Sequence, residues 1–243
     1  MKVFKIDDTS CGICFDVHYR TGNYKNINIR VNGSGVVTVS ANRRTDFDRV
    51  YDFVWSKRKW IYRNLQRVAT RQNNFADVMR GECLYLSGKK IPVSVKKGKV
   101  NKVVLSDETA QVTVRNTDIS YVAKVILKWY CQLTYVQRIF DRCVERCTFI
   151  AHVPHLSMRI SKNRLGTCYP SQNKIVLNSL LAAGEEHLAE TVCLHELCHL
   201  IYSGHNKNFY TLLQKVQPDY KKYQKQAKEF FPSYYNALMQ CGQ

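Results

Sequence analysis

The chain has 243 residues, of which 45% are hydrophobic and 23% charged, a balance that excludes a disordered protein. No stretch approaches the roughly 18 consecutive apolar residues of a membrane span, so we expect no membrane insertion. The 37 basic residues outnumber the 19 acidic ones and give a formal net charge of +18. This charge favours binding to polyanions such as nucleic acid, or it serves only solubility.

The N-terminus and the cysteines indicate a reducing compartment. Two aspartates stand where a signal peptide has its apolar run, so we expect a cytoplasmic protein whose ten cysteines are free thiols. Cys11 and Cys14 form a CxxC pair, but a structural zinc ion would need a second pair, and only Cys143 and Cys147 come near a compatible spacing. We therefore interpret Cys11 and Cys14 as ordinary thiols.

The N-terminal third combines a strand pattern with a helix pattern. Apolar residues at every second position over residues 27–39, interrupted by an Asn-Gly-Ser-Gly turn, predict a β-hairpin. A helix over residues 47–65 follows, and Asp46 belongs to its cap. This helix is the most basic element of the chain and includes Trp55 and Trp60, a composition that can bind nucleic acid through phosphates and stacking. Aromatic residues at helical spacing are equally typical of a core.

The remaining pattern predicts an α+β fold. In chain order, the elements are four short strands over 83–115, a long helix over 119–149, strands at 156–161 and 174–179 around a loop at 163–173, helices over 185–203 and 206–216, and a last helix opened by Pro218. We expect a β-rich region over residues 1–116 with one basic helix, followed by a helix-rich region over residues 117–243.

The string Leu-His-Glu-Leu-Cys-His, residues 194–199, contains the residues with the clearest chemical potential. Residues four apart on a helix share a face, so His195 and His199 can direct two imidazoles at one metal ion. Glu196 lies one residue further round the helix and can reach a water molecule there without filling a coordination position. Cys198 points away from the ligand face, and we expect it in the core.

A third ligand follows this helix. Catalytic zinc sites use three protein ligands and keep one position open, and His205 stands six residues after His199. We interpret Gly204 as the residue that ends the helix with a positive φ, so that the next residue folds back. The sequence therefore predicts a hydrolase with one zinc ion held by His195, His199 and His205, and with Glu196 as general base. Candidate donors to the oxyanion are Tyr169, Tyr202 and His155.

These residues resemble the YgjP-like metallopeptidases, which are relatives of the SprT-type zinc proteases. The run HELCHLIYSGHNKNFYTLLQKVQPDYKKYQK is similar to the metal-binding helix of that family, its close third histidine and the two helices after it. KNRLGTC at 162–168 and KIVLN at 174–178 are similar to its basic loop and following strand, although Leu165 and Thr167 replace a Trp and a Ser. KNINIRVNGSGVVTVSANRRTDFDRVYDFVWSKRKWI resembles its opening hairpin and first helix.

The resemblance implies a gluzincin-like, zincin-type core in which the HExxH helix packs on a small mixed or antiparallel sheet, with the same ligands and base. We therefore expect a zinc metallopeptidase that cleaves a peptide or protein substrate, added as an extended strand at a sheet edge near residues 174–178. The alternative is a basic nucleic-acid-associated protein with a structural or vestigial zinc site. The sequence makes no prediction of oligomeric state.

Overall fold

The computed structural model describes residues 3–8, 11–22, 26–33 and 35–240. The chain divides into two compact units, Met1–Asn74 and Phe75–Gln243. The boundary that we expected near residue 116 falls inside the second unit, because the strands over 83–114 and the helices after them bury their apolar faces in one shared core. In the part of the chain that the structure describes, no helix combines the length and apolar character needed to cross a lipid bilayer.

The described residues of the first unit form a four-stranded mixed sheet and two helices. Its elements are β1 (Val3–Asp8), β2 (Cys11–Arg20), β3 (Asn28–Val31), β4 (Val37–Asn42), α1 (Phe47–Ser56) and α2 (Arg58–Asn74). The strand order is β1-β2-β4-β3, with β2 parallel to β4 and the outer pairs antiparallel. Alternate residues of β4 and the apolar stripe of α1 form its core, around Val39, Val50 and Val54.

The predicted hairpin is present as β3 and β4, whereas the predicted single helix is two helices. They separate at Lys57, where the backbone N–H donates to the carbonyls of both Phe53 and Val54. This i−3 bond tightens the turn and ends α1, while Ile61 of α2 continues the same buried stripe. The apolar spacing in the sequence therefore continues across the break, and nothing in it indicates that a helix ends there.

The second unit, over its described residues 75–240, contains two small sheets and the remaining helices. The first sheet has the order β5-β6-β8-β7 and consists of β5 (Cys83–Leu86), β6 (Lys89–Lys97), β7 (Lys102–Leu105) and β8 (Ala110–Val114). The second has the order β10-β11-β9 and consists of β9 (His155–Arg159), β10 (Gly166–Tyr169) and β11 (Lys174–Asn178). The helices are α3 (Ala76–Met79), α4 (Ile119–Tyr130), α5 (Tyr135–Arg146), α6 (Glu186–Cys198), α7 (Lys207–Val216) and α8 (Tyr220–Met239).

Two expectations in this unit are corrected. The long helix predicted over residues 119–149 is interrupted between α4 and α5 by a turn with i−3 hydrogen bonds at Cys131, Gln132 and Leu133. The predicted loop over 163–173 contains β10, which pairs antiparallel with β11. β11 is therefore the central strand, bonded on both sides, and β10 is one of the two edge strands of this sheet.

The helix that contains the HExxH string lies next to this edge. α6 packs beside β10 and β11 and also contacts α5, α7 and α8. Its residues are buried on most sides, which explains the near-continuous apolar sequence around the histidines. The fold is thus a mixture of helices and small mixed sheets, and it holds the HExxH string between an edge strand and two C-terminal helices.

Candidate metal centre

The three predicted histidine ligands converge on one point. His195 lies in α6, His199 caps its C-terminus, and His205 lies in the turn before α7. The Nε2 atom of His195 is 3.2 Å from Nε2 of His199 and 3.0 Å from Nε2 of His205. Nitrogen atoms bound to one tetrahedral zinc ion at 2.0–2.1 Å are separated by about 3.3 Å. The three rings therefore already have the spacing of a zinc ligand set.

The chain reversal that returns His205 differs from the one we expected. α6 ends at Cys198, and the residues after it form a turn in which Tyr202 N–H donates to the Cys198 carbonyl. Gly204 lies within this reversal, but its φ is not in the positive region. The predicted role of Gly204 is thus wrong: several turn residues share the change of direction, and Asn206 caps α7 by accepting from Phe209 N–H.

Hydrogen bonds orient two of the rings. His199 Nδ1 lies 2.8 Å from the carbonyl oxygen of Tyr202, so Nδ1 donates there and Nε2 keeps its lone pair for a ligand. On α8, the amide nitrogen Nε2 of Gln224 lies 3.1 Å from Nδ1 of His195. If the amide group is rotated by 180°, its oxygen takes this position and accepts a hydrogen bond from a protonated Nδ1. Partners of this kind fix the tautomer and direction of metal-binding imidazoles.

A phenyl ring supports the histidines from behind. Phe209 of α7 is fully buried and stacks on His199, with ring centroids 4.6 Å apart. The same ring meets His195 and His205 edge-on at 5.0 Å and 4.9 Å. One residue thus limits the rotation of all three imidazoles.

The charge state of His195 and His205 suits a bound cation. Burial, with a smaller effect from neighbouring positive charge, lowers the pKa of His195 to about 3. Burial also lowers the pKa of His205. Neutral imidazoles are the form that binds metal, and the lowered pKa values favour that form at His195 and His205. Among the described residues, these three histidines form the one cluster of His, Cys, Asp or Glu that can hold an ion.

Glu196 lies beside the cluster in a tight, mostly buried position. Its exposed fraction is 7%, and burial raises the pKa of its carboxyl group to about 7, against the opposing effect of a hydrogen bond from Cys168 N–H. Gly166 of β10 lies directly against it, because a Cβ atom there would stand 2.5 Å from Cγ and Oε1 of Glu196. The carboxylate is therefore held between α6 and the backbone of β10.

An open cleft of about 520 Å³ exposes this arrangement to solvent. His195, Glu196 and His205 line it together with residues that the sequence analysis missed, Tyr210 of α7 and Gln224 and Lys228 of α8. No short spacing connects these residues to the HExxH string, because the chain must first reverse twice to form α7 and α8. None of the three predicted oxyanion donors lines the cleft. These residues are Tyr169, Tyr202 and His155.

The cysteines are placed as core or surface thiols. Cys198 is fully buried, and burial raises the pKa of its thiol to about 12, with a similar effect at half-buried Cys168. Cys14 is exposed on β2, while the side chain of Cys11 lies outside the described residues. Cys143 and Cys147 are buried in the core of the second unit.

The predicted nucleic-acid-binding residues lie in the first unit. Trp55 is half-buried, and the guanidinium of Arg58 lies 4.4 Å from its ring centroid. Trp60 of α2 is 46% exposed. Trp60 therefore exposes its ring to solvent, while Trp55 packs against the core of the first unit.

Three imidazoles around one point, next to a buried carboxylate and an open cleft, form a donor set that can hold a metal ion. The family model of the YgjP-like metallopeptidase domain matches residues 25–230, and the chain belongs to this family. The match confirms the resemblance found in the sequence and supports a metal-dependent protease that acts on a protein or peptide. No curated protein matches the chain.

Proposed function

We propose that this protein is a zinc-dependent metallopeptidase in which His195, His199 and His205 hold one zinc ion. The observation that supports this most directly is the convergence of three Nε2 atoms beside a buried carboxylate. A zinc ion bound there would act as a Lewis acid towards the scissile carbonyl and would acidify the attacking water.

Glu196 is the general base in this proposal. It takes the proton from the attacking water and passes it to the nitrogen of the leaving amine. The N–H of Cys168 holds the carboxylate, and the absence of a side chain at Gly166 gives it room. The other lone pairs of the carboxylate remain available for the water molecule and for the transferred proton.

The substrate binds in extended form along β10, which replaces our earlier expectation for residues 174–178. Asn178 N–H donates to the Leu165 carbonyl, so the alternation of an antiparallel pair directs the N–H and carbonyl of Gly166 and the carbonyl of Cys168 away from β11, while the outward N–H of Cys168 is used by Glu196. An added peptide strand can pair with this outer edge, next to Glu196.

Tyr210 is the oxyanion donor that we assign. It is the one phenol among the described residues that line the cleft, and its ring centroid lies 6.1 Å from that of His205. Its side chain is 38% exposed, so the hydroxyl is accessible to a substrate. A donor at the developing negative charge stabilises the transition state more than the bound substrate.

The test is hydrolysis of an unfolded protein such as reduced casein by the zinc-loaded full chain. We expect wild-type protein to cleave it and Glu196→Gln to keep stoichiometric zinc while kcat falls by about 10²–10⁴-fold. Glu190→Gln is the matched control, since Glu190 lies on α6 outside the cleft lining. Zinc-loaded wild type without activity, or an active Glu196→Gln variant, would contradict the proposal.

A second candidate function is nucleic-acid binding by the first unit. The exposed ring of Trp60 favours it, as does the composition of α2, which has five basic residues and no acidic one. Binding of a single-stranded oligonucleotide should weaken as salt rises, because phosphate contacts release counterions. Glu196→Gln should leave this binding unchanged, and binding that does not depend on salt would count against this candidate.

A further inference from the structure

The catalytic cleft continues into a groove between α7 and α8. The cleft measures about 520 Å³ and the groove about 580 Å³, and both are lined by Tyr210 and Gln224. One surface within the second unit therefore extends from Gly166 of β10, past the histidines, to the first turns of the two C-terminal helices.

Basic side chains line this surface throughout. Arg164 and Lys228 line the cleft, while Lys207 and Lys221 line the groove. Glu196 is the one acidic side chain among the described residues that line either, and it is already assigned as the base. None of the four basic side chains forms an ion pair with another described residue. Their charges are therefore available to a ligand.

One face of α8 places two of these charges on either side of the three clustered histidines. Lys221, Gln224 and Lys228 are at positions i, i+3 and i+7, so they share one side of the helix. Gln224 contacts His195. Lys221 therefore lies about one helical turn before this contact, and Lys228 lies about one turn after it. Seven residues of helix span about 10 Å, the length of roughly three residues of extended peptide.

We propose that the cleft selects acidic polypeptide segments, with carboxylate side chains on both sides of the scissile bond. This inference rests on the proposed peptidase function. Unpaired cations along a cleft attract an anionic chain and disfavour a basic one. A polypeptide is the polyanion that fits, because the cleft runs beside the outer edge of β10, where a peptide backbone can form strand hydrogen bonds and a nucleic acid cannot.

The experiment measures binding without hydrolysis. Zinc-loaded Glu196→Gln full chain is titrated, by fluorescence anisotropy, with three peptides that share one central sequence and are flanked by Glu, Gln or Lys. We expect the Glu-flanked peptide to bind about tenfold tighter than the Gln-flanked one and the Lys-flanked peptide to bind most weakly. Raising the salt concentration should reduce the difference.

Two double variants locate the preference. Lys207→Glu with Lys221→Glu reverses two charges of the groove, whereas Lys215→Glu with Lys222→Glu makes the same change at exposed residues of the same helices outside it. The first pair should abolish the preference for Glu and the second should preserve it. Equal binding of the Glu and Gln peptides, or equal losses in the two double variants, would overturn the proposal.

Two additions separate the remaining possibilities. Wild-type protein is assayed for cleavage of the same peptides, so charge preference in binding without any cleavage would contradict the peptidase function and not the charge selection. A single-stranded DNA of matched charge is added as competitor. If it displaces the Glu-flanked peptide at lower concentration than unlabelled peptide does, the surface belongs to nucleic acid and the inference fails.

Discussion

The two units of this protein use polar residues in different ways. In the second unit, side chains from α6, α7 and α8 and the turn between α6 and α7 converge, and each imidazole packs against Phe209 or a hydrogen-bond partner. In the first unit, α2 spreads its charge along a helix, with Trp60 exposed among basic residues. Convergence with fixed orientation is what catalysis needs, whereas a spread of charge suits only contacts with an extended partner. We therefore place the chemistry in the second unit.

Loss of a ligand should have the largest effect. His205→Ala leaves two nitrogen donors where a catalytic zinc site uses three, so we expect zinc affinity to fall by more than about 10²-fold and hydrolysis to be lost with it. Zinc affinity is measured by competition with a chelator. His152→Ala, at an exposed histidine outside the cleft, is the control and should retain zinc. Full zinc retention in His205→Ala would remove this residue from the site.

A methyl group added at Gly166, next to Glu196, should lower kcat and leave the zinc content unchanged. Gly166→Ala places a Cβ atom where the Glu196 carboxylate now lies, so the carboxylate must move. We expect kcat to fall by about 10²-fold at unchanged zinc content, since a displacement of about 1 Å is enough to misalign a proton transfer. Gly204→Ala is the matched control, because a Cβ there meets no atom within 4 Å. Similar kcat values for the two variants would exclude the close packing of Glu196 against β10.

The support of His195 should have a smaller, graded effect. Gln224→Ala removes the side chain that contacts Nδ1, and we expect zinc affinity to fall by about 10–100-fold. Gln226→Ala, at an exposed residue of the same helix, should leave it unchanged. Equal zinc affinity in both variants would show that Gln224 does not orient the ligand.

The smallest effect is expected in the first unit. Trp60→Ala changes an exposed residue, so peptide hydrolysis should stay within about twofold of wild type and stability within about 0.5 kcal/mol. Thermal unfolding and the casein assay measure both. A large loss of hydrolysis would contradict our assignment of the chemistry to the second unit.

The sequence predicted those parts of the site that depend on local spacing. His195 and His199 are one helical turn apart, and the proximity of His205 in the chain was enough to place it beside them, even though the role of Gly204 was wrong. The β3–β4 hairpin, the four strands β5 to β8, and strands β9 and β11 were predicted because alternation and turn residues mark them locally. The edge strand β10 was missed because its four residues lie in a segment rich in turn-forming residues and alternate too briefly.

The contacts made over long chain separations were not predictable. Gln224 and Lys228 reach the site only because α8 packs against α6, and no periodicity in the sequence encodes that approach. Tyr210 faces the cleft because of the direction in which α7 leaves the turn. The helix breaks at Lys57 and at Cys131 were also missed, since in both places the apolar stripe continues across the break.

X-ray absorption at the zinc edge, on the purified full chain with its bound metal, tests the central claim most directly. The account predicts one zinc ion per chain with imidazole nitrogen and oxygen neighbours at about 2.0–2.1 Å. A zinc content far below one, or a sulfur neighbour at about 2.3 Å from a cysteine such as Cys168 or Cys198, would contradict it.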